Sequence, residues 1–380
     1  MYEQRLGPLP IVIALGVVLL ITGAEVGSAA QGTAGAPGCG GQAAEGAARS
    51  AAPPGRAAAP TPERLSGDSS PVLTPVADLP LPGGTARFDY QSLDDVSGRL
   101  YLAHMGAGQA IVFDTRSRQV RTVIDGLPGV TGVWVVPELD RLYASATGLH
   151  QVVIIDTKSF AVVARVGRIG FPDGIAFARG AGKVFVSDEA GGGELVIDAA
   201  RDRAIGTIPL GGEAGNSVYD AGSGCVLVAV QTRNEIVAID PSSEQVVGRY
   251  SIAQAKRPHG LSVDASRRLL FVANEGNATL LTLDLRTMQV TQQQPVGSDP
   301  DVLAFDPGWR RLYVAAESGR VTVLQEEGDT LRHLGSLAIP GAHSVIVSPG
   351  THLVYLPLRN IRGRAVLRIM TGPWAPGRTP

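Results

Sequence analysis

The chain has 380 residues, and its 33 Lys and Arg against 35 Asp and Glu give a formal net charge of −2. A nearly neutral chain without a basic stripe argues against a nucleic-acid partner. Cys39 and Cys225 are the only cysteines, and the second falls inside a predicted inner strand. The sequence therefore predicts no structural disulfide, and the lack of a Cys-x-x-Cys-His motif excludes a covalently bound c-type haem.

Residues 1–30 have the pattern of an export signal. Arg5 precedes an apolar core from Ile11 to Ile21, and the small residues Ser28 and Ala30 suit the positions before a signal-peptidase cut. An uncleaved anchor is the alternative, because residues 6–24 are uncharged over 19 positions, near the lower limit for crossing a bilayer. Both interpretations place the rest of the chain outside the cytoplasm, as a periplasmic, secreted or membrane-anchored protein. Membrane contact is expected only through such an anchor.

Residues 31–70 consist mainly of Ala, Gly, Pro and Ser with scattered charge. They have little apolar surface to bury, so the composition predicts a disordered, flexible tether. Cys39 stands in "APGCG", far from the apolar core and without a preceding Leu. A lipid-modified cysteine is therefore not expected.

From residue 71 onward the sequence repeats. "RLYLAHMGAGQAIVFDTRSRQV" and "LFVANEGNATLLTLDLRTMQV" align on an apolar marker and a later Asp. The marker recurs every 42 or 44 residues, at Tyr101, Tyr143, Phe185, Leu227, Phe271, Tyr313 and Tyr355. Each copy holds four short apolar or β-branched runs separated by Gly- and Asp-rich turns. The period predicts an all-β, seven-bladed β-propeller over residues 71–370, with four antiparallel strands per blade.

Two repeated positions are expected to be structural. The marker aromatics should pack between blades, since each occupies the same position in the middle of a strand. The later Asp ends the third strand, where its carboxylate can accept backbone N–H groups of the following turn. It recurs in five copies, at Asp114, Asp156, Asp198, Asp240 and Asp284.

The last blade lacks an outer strand of its own. Three strand-like runs are followed only by "TGPWAPGRTP", residues 371–380, which is too rich in Pro and Gly to form a strand and is assigned as a C-terminal tail. The segment from Pro75 to Leu81 precedes the first blade as an outer strand precedes each later one. We therefore predict that residues 75–81 pair with residues 365–369 and close the ring.

The phrase "LFVAN" and the following "LTLD", preceded by the Pro-x-Gly of "KRPHGLSVD", resemble the repeat of the YVTN β-propeller family (YncE-like proteins). The resemblance covers roughly residues 71–370. It implies a seven-bladed propeller that is commonly exported or at the cell surface. It implies little chemistry, because such propellers serve mainly as binding scaffolds.

The architecture predicts which polar residues share one face. In an antiparallel blade the start of the first strand and the end of the second strand lie at the same face, here called the top face. The residues that begin the repeats should ring the mouth of the central channel: Asp89, Thr131, Asp173, Gly215 with its neighbour Asn216, His259, Asp301 and His343. One step outward, a second set ends the second strands: His104, Asp188 and Asn274, with Gln231, Glu317 and Arg359 nearby. These residues are the candidates for ligand binding.

Four ring residues from adjacent blades suggest a metal site. Blades five, six, seven and one supply His259, Asp301, His343 and Asp89. Imidazole and carboxylate groups are competent ligands for zinc or another divalent first-row metal. Two other interpretations stay open, namely hydrogen bonds to neighbouring loops and a polar small-ligand site. No other cofactor is predicted.

Catalytic motifs are missing from the sequence: there is no Gly-x-Ser-x-Gly, no His-Glu-x-x-His and no dinucleotide fingerprint after a strand. The sequence therefore predicts a monomeric, non-catalytic binding module of the cell envelope that uses its polar top face. Its partner would be a small molecule or an envelope protein. The alternative is a metal-dependent hydrolase or lyase that uses the axial His/Asp ring and a metal-activated water.

Overall fold

The computed structural model describes Cys39 and residues 71–373. The predicted leader (1–30), the rest of the predicted tether and residues 374–380 of the predicted tail lie outside the described residues. In the part that the structure describes, no helix is long and apolar enough to cross a bilayer.

Seven four-stranded antiparallel sheets account for all the strands of the described residues, which confirms the predicted seven-bladed propeller. In blades one to six the strands follow chain order outward from the axis. Blade one contains β2 (Gln91–Asp94), β3 (Arg99–His104), β4 (Gln109–Asp114) and β5 (Gln119–Ile124). Blade two contains β6 (Val130–Val136), β7 (Arg141–Ala146), β8 (Gln151–Asp156) and β9 (Val162–Val166). Blade three contains β10 (Pro172–Ala178), β11 (Lys183–Asp188), β12 (Gly193–Asp198) and β13 (Arg203–Pro209).

The next three blades repeat this order. Blade four contains β14 (Ala214–Asp220), β15 (Cys225–Val230), β16 (Glu235–Asp240) and β17 (Gln245–Ser251). Blade five contains β18 (Pro258–Asp264), β19 (Leu269–Asn274), β20 (Thr279–Asp284) and β21 (Gln289–Pro295). Blade six contains β22 (Pro300–Asp306), β23 (Arg311–Ala316), β24 (Arg320–Glu327) and β25 (Thr330–Ala338). Single 3-10 turns lie at Met105–Ala107, Pro137–Leu139, Thr147–Leu149, Arg179–Ala181, Gln231–Arg233 and Glu275–Asn277.

The seventh blade joins the two ends of the propeller. It contains β26 (Ile346–Val347), β27 (Val354–Ile361), β28 (Arg364–Thr371) and, as its outer strand, β1 (Thr74–Pro80). The register of β1 on β28 is antiparallel, with Ala77 opposite Ile369 and Pro80 opposite Val366. The predicted closure by the N-terminal strand is therefore confirmed.

Burial follows strand position. The second strands β15, β19 and β23 are buried at every residue, whereas the outer strands β17 and β21 alternate between exposed and half-buried residues. The first pattern is that of a strand covered on both faces by neighbouring blades. The second is that of a strand with one face in water. The marker aromatics are buried in the clusters between blades, as predicted, with Tyr143, Phe185, Phe271 and Tyr313 fully inaccessible.

The repeated Asp that ends the third strand caps the following turn. Oδ1 of Asp156 accepts the backbone N–H groups of Lys158 and Ser159, at 3.0 and 2.8 Å. Asp114, Asp198, Asp240 and Asp284 accept equivalent bonds. The predicted structural role is confirmed.

The expectation that the chain holds no structural disulfide is wrong. Cys39 and Cys225 are bonded to each other, with their Cα atoms 5.1 Å apart. The backbone N–H of Cys39 also donates to the carbonyl of Ser223, at 3.0 Å. Because the two cysteines are 186 residues apart in sequence, only the three-dimensional fold brings them together.

Replacing Cys39 by Ala should lower the free energy of unfolding by about 2 to 4 kcal/mol, because a long loop in the unfolded chain is then no longer closed. Urea unfolding without reductant measures this. Cys39→Ala is the cleaner variant, since Cys225 is fully buried and its truncation also leaves a cavity. The wild type in strong reductant should match the variant, and equal midpoints for the oxidised wild type and the variant would contradict a stabilising bond.

Candidate functional site

A bulge at the start of the first strands turns the ring residues toward the axis. In blade three the pairing passes from Pro172–Asp188 directly to Ile175–Val186, so Asp173 lies in the bulge. The same shift occurs in blades two, four, five and six. An extra residue in one strand bends it and redirects its side chains. The repeat of about 42 residues therefore becomes a ring of side chains at one mouth of the channel.

In blades two, three and five a glycine follows the ring residue and lets the neighbouring blade approach. A Cβ atom on Gly132 would lie 2.1 Å from the carbonyl oxygen of Asp173, and one on Gly260 would lie 2.0 Å from that of Asp301. Blade one has Tyr90 at this position instead. Its side chain lines both the mouth and a second cavity further along the channel, so it forms the boundary between them.

The structure brings most of the predicted ring together. The mouth is a cavity of about 160 Å³, and the ring residues that line it are Asp89, Thr131, Asp173, His259 and Asp301. His343 lies beside two of them, with its Nε2 atom 4.0 Å from Oδ1 of Asp89. Asn216 does not line the mouth. It lines the second cavity instead, which has a volume of about 240 Å³. Thr131 donates its hydroxyl to the carbonyl of Pro172, which ties blade two to blade three.

The predicted second set does not reach the mouth. His104 is fully buried and stacks on Phe88 with 4.1 Å between the ring centroids. The carboxylate of Asp188 accepts the backbone N–H groups of Gly170, Phe171 and Gly191. Asn274 donates to the carbonyls of Val272 and Thr279. Asp188 thus holds a top-face loop, whereas His104 and Asn274 are engaged with their own blades, and we do not include these three residues in the candidate site.

The residues one position later in the chain do reach the mouth. Glu189, Glu275 and Glu317 line it, together with Met105 from blade one. Each follows the last residue of a second strand, where successive side chains point in opposite directions. Of these residues, only Glu317 was among those predicted from the sequence. Counting one residue past the end of each second strand would have identified the others.

His259 is the centre of one side of the mouth. Its Nε2 atom lies 3.0 Å from the hydroxyl of Tyr90 and 3.3 Å from Oδ1 of Asp301. The Tyr90 hydroxyl donates to Oδ2 of Asp173, at 3.3 Å. Nδ1 of His259 faces Oε1 of Glu275 at 3.8 Å. Since Tyr90 comes from blade one and its partners come from blades three and five, this network crosses the channel axis.

The charges in this network are coupled. Burial opposes a charge on His259, but the hydrogen bond and charge of Asp301, with the charges of Asp173 and Glu275, raise the pKa of His259 to about 10. Burial also opposes a charge on Asp301, but His259 holds the pKa of Asp301 below its ordinary value. The imidazolium therefore neutralises one carboxylate of the mouth.

The other acidic groups lack enough cations. Six residues with carboxyl groups line the mouth, against Arg87 and His259 in the lining and Arg257, which lies 3.6 Å from Glu275. Arg87 pairs with Glu317 at 2.6 Å. Burial, aided by neighbouring carboxylates, raises the pKa of Asp89 well above its ordinary value and that of Glu189 to about 7. The mouth is thus a half-open site with an excess of acidic groups, and a cation would compensate them.

An open groove extends the mouth along the top face. It is lined by Phe171, Glu189, Glu213 and the glycines of the two adjoining loops, and it shares Phe171 and Glu189 with the mouth. Gln231 donates to Oε1 of Glu189 at 3.1 Å and orients that side chain. The groove joins acidic groups to the ring of Phe171, whose face can attract a cation.

No protein-family model and no curated protein matches this sequence. Solved structures match the fold. A chain of the hydrazine synthase of Kuenenia stuttgartiensis is similar with a TM-score of 0.63 and 15% identity, over 77% of this chain and 97% of that one. A chain of a mitotic checkpoint complex is similar with a TM-score of 0.67 and 11% identity, over 84% and 98%. At these identities the likeness shows the β-propeller fold alone.

Proposed function

We propose that this protein is a non-catalytic binding module that takes a positively charged ligand group into the mouth of its top face. One observation carries the proposal: among the described residues, six with carboxyl groups line the half-open mouth, against Arg87 and His259 as the cationic side chains of its lining. His259 is bound to Asp301, and Arg87 is bound to Glu317. Glu275 faces Nε of Arg257 at 3.6 Å, so the groups left for a ligand are Asp89, Asp173 and Glu189.

The groove defines the ligand class further. A ligand that passes along Phe171 to Glu189 meets an aromatic ring and then acidic groups. This order suits an alkyl chain that ends in an ammonium or guanidinium group, because the chain can pack on the ring while its head pairs with the carboxylates. Such a group comes from a small amine or from a Lys or Arg side chain of a protein partner.

Thermal unfolding in the presence of matched five-carbon compounds tests this proposal. We expect 1,5-diaminopentane at saturating concentration to raise the melting temperature by roughly 5 °C, since binding to the folded state stabilises it. Pentanoate and pentanol, which have the same chain without the ammonium group, should raise it little. A peptide with a single exposed Lys, compared with its acetylated form, tests the protein source of the same group.

The double variant Asp173→Asn, Glu189→Gln should lose most of this stabilisation. Glu327→Gln is the matched control, because it removes an exposed carboxylate distant from the mouth. Equal stabilisation by the alcohol or the carboxylate, or full retention in the double variant, would contradict the proposal.

We also propose that the chain lies outside the cytoplasm and belongs to the YVTN-type propellers. The apolar segment of residues 1–30 and the Cys39–Cys225 disulfide both support an extracytoplasmic compartment, where disulfides persist. The mass of the chain recovered from the envelope of a bacterial host would decide between a cleaved leader and an anchor. The Val-Ala-Asn and Pro-x-Gly phrases support membership of the YVTN-type propellers, and homologues that lacked them in most blades would count against it.

A metal-dependent hydrolase or lyase is the second candidate. One observation favours it, namely that ligand-type atoms of Asp89, Asp301 and His343 lie close together beside the mouth. A metal at this place would supply an activated water. The candidate therefore depends on metal binding by these three residues.

A further inference from the structure

Three buried side chains from consecutive blades converge next to the mouth. Asp89 comes from blade one, Asp301 from blade six and His343 from blade seven. One ligand-type atom from each lies within 4.8 Å of the other two. Asp89 and Asp301 also line the mouth, so the group has access to whatever enters it.

One of the three has a buried atom without a protein partner. Nε2 of His343 makes no hydrogen bond to any residue in the described part of the chain. The side chain is only 8% exposed, and Nε2 lies 4.0 Å from Oδ1 of Asp89. Buried polar atoms are almost always paired, so an unpaired imidazole nitrogen that faces two carboxylates indicates a missing partner.

We propose that Asp89, Asp301 and His343 bind one divalent first-row transition metal ion, with zinc as the best fit. Zinc binds imidazole nitrogen and carboxylate oxygen at about 2.0 to 2.2 Å, which places tetrahedral ligand atoms about 3.3 to 3.6 Å apart. Side-chain movements of about 1 Å would bring the three ligand atoms from their present separations to these distances. The imidazole favours zinc over calcium, which takes six to eight oxygen ligands. Three protein ligands leave one position open toward the mouth.

His259 is not a ligand in this site, in contrast to the set of four predicted from the sequence. Its Nε2 atom is already shared between the hydroxyl of Tyr90 and the carboxylate of Asp301. It instead holds Asp301 from the opposite side, as outer partners of metal ligands commonly do. Arg87 lies 3.8 Å from Asp89, but its charge is paired with Glu317.

The inference rests on the proposed function, because both require the mouth to admit cations. The two remain separable, since the ammonium site uses Asp173 and Glu189 on the side of blade three, whereas the metal uses residues of blades one, six and seven. Metal binding without amine binding would contradict the proposed function and leave the metal site. Amine binding without metal binding would contradict the metal site and leave the proposed function.

Titration of the metal-free full chain with zinc by calorimetry and elemental analysis tests the site. We expect one zinc per chain for the wild type and a loss of affinity of more than about 100-fold in His343→Gln and in Asp89→Asn. His150→Asn is the matched control, because His150 is an exposed top-face histidine that bonds to the carbonyl of Gly170. His259→Gln should retain one zinc with weaker affinity.

A measurement on the wild type guards against variants that fail to fold. Cobalt(II) added to the unaltered chain should give visible absorption typical of a low-coordinate site with nitrogen and oxygen ligands, and one equivalent of zinc should abolish it. No stoichiometric zinc in the wild type, calcium binding equal to zinc binding, or full zinc affinity in a folded His343→Gln variant would each overturn the proposal.

Discussion

Deleting residues 73–81 from the full chain should cost more than about 5 kcal/mol of folding free energy and leave the propeller open or unfolded. The segment contains β1, which supplies the outer strand of the seventh blade. Leu73 is buried in the cluster that includes Tyr313 of blade six, and Leu81 is buried in the cluster that includes Leu100 of blade one. Losing a buried Leu side chain costs about 2 to 5 kcal/mol, and domains have only about 5 to 15 kcal/mol in total.

The same deletion breaks the contacts of the ladder itself. The carboxylate of Asp78 accepts two hydrogen bonds from the guanidinium of Arg368, at 2.7 and 2.6 Å. Without β1, β28 becomes an unpaired edge that can join another chain, so we also expect association at high concentration. Circular dichroism during heating and light scattering measure the two effects.

The matched control deletes residues 49–57, which removes the same number of residues from the Ala- and Gly-rich segment. Both deletions leave Cys39 in place, so the disulfide does not bias the comparison. A melting temperature for the first deletion as high as that of the control would show that the ring does not need its N-terminal strand. Single Leu73→Ala and Leu81→Ala variants should each account for about 2 to 5 kcal/mol.

The sequence predicted the fold because every blade repeats the same pattern of buried side chains. The markers from Tyr101 to Tyr355 fill the spaces between blades, and their spacing alone gives the blade number. The same spacing located the ring, because a bulge places Asp173, His259 and Asp301 at equivalent points of their blades. Features that obey the repeat could therefore be read from the chain.

Features that break the repeat could not be predicted from the sequence. Tyr90 stands where blades two, three and five have a glycine after the ring position, and its hydroxyl lies 3.0 Å from Nε2 of His259. The disulfide joins Cys39, outside the repeats, to Cys225, which no periodicity connects. The second set lies outside the mouth for another reason: successive side chains of a strand point in opposite directions, so Asp188 holds a loop whereas Glu189 lines the mouth.

Glu194 carries a carboxyl group that is fully buried between blades three and four. Its Oε1 atom accepts the hydroxyls of Ser187 and Ser217, at 2.9 and 2.8 Å. Burial raises the pKa of Glu194 from about 4.5 to about 8. The folded state therefore binds a proton that the unfolded state releases, so stability falls as the pH rises from about 4.5 to about 8.

Glu194→Gln should remove this dependence, because Gln has nearly the same shape, can accept the same two hydroxyls and does not ionise. Glu189 and Glu326 titrate in the same direction, with pKa values raised by burial to about 7, so the wild-type curve alone does not isolate Glu194. The free energy of unfolding of the variant relative to the wild type should instead rise by on the order of 4 kcal/mol between pH 5 and pH 9. Any constant cost of the amide cancels in that comparison. Urea titrations across this range measure it, with Glu327→Gln as the exposed control, and parallel curves for wild type and Glu194→Gln would show that the buried carboxyl group does not change its charge there.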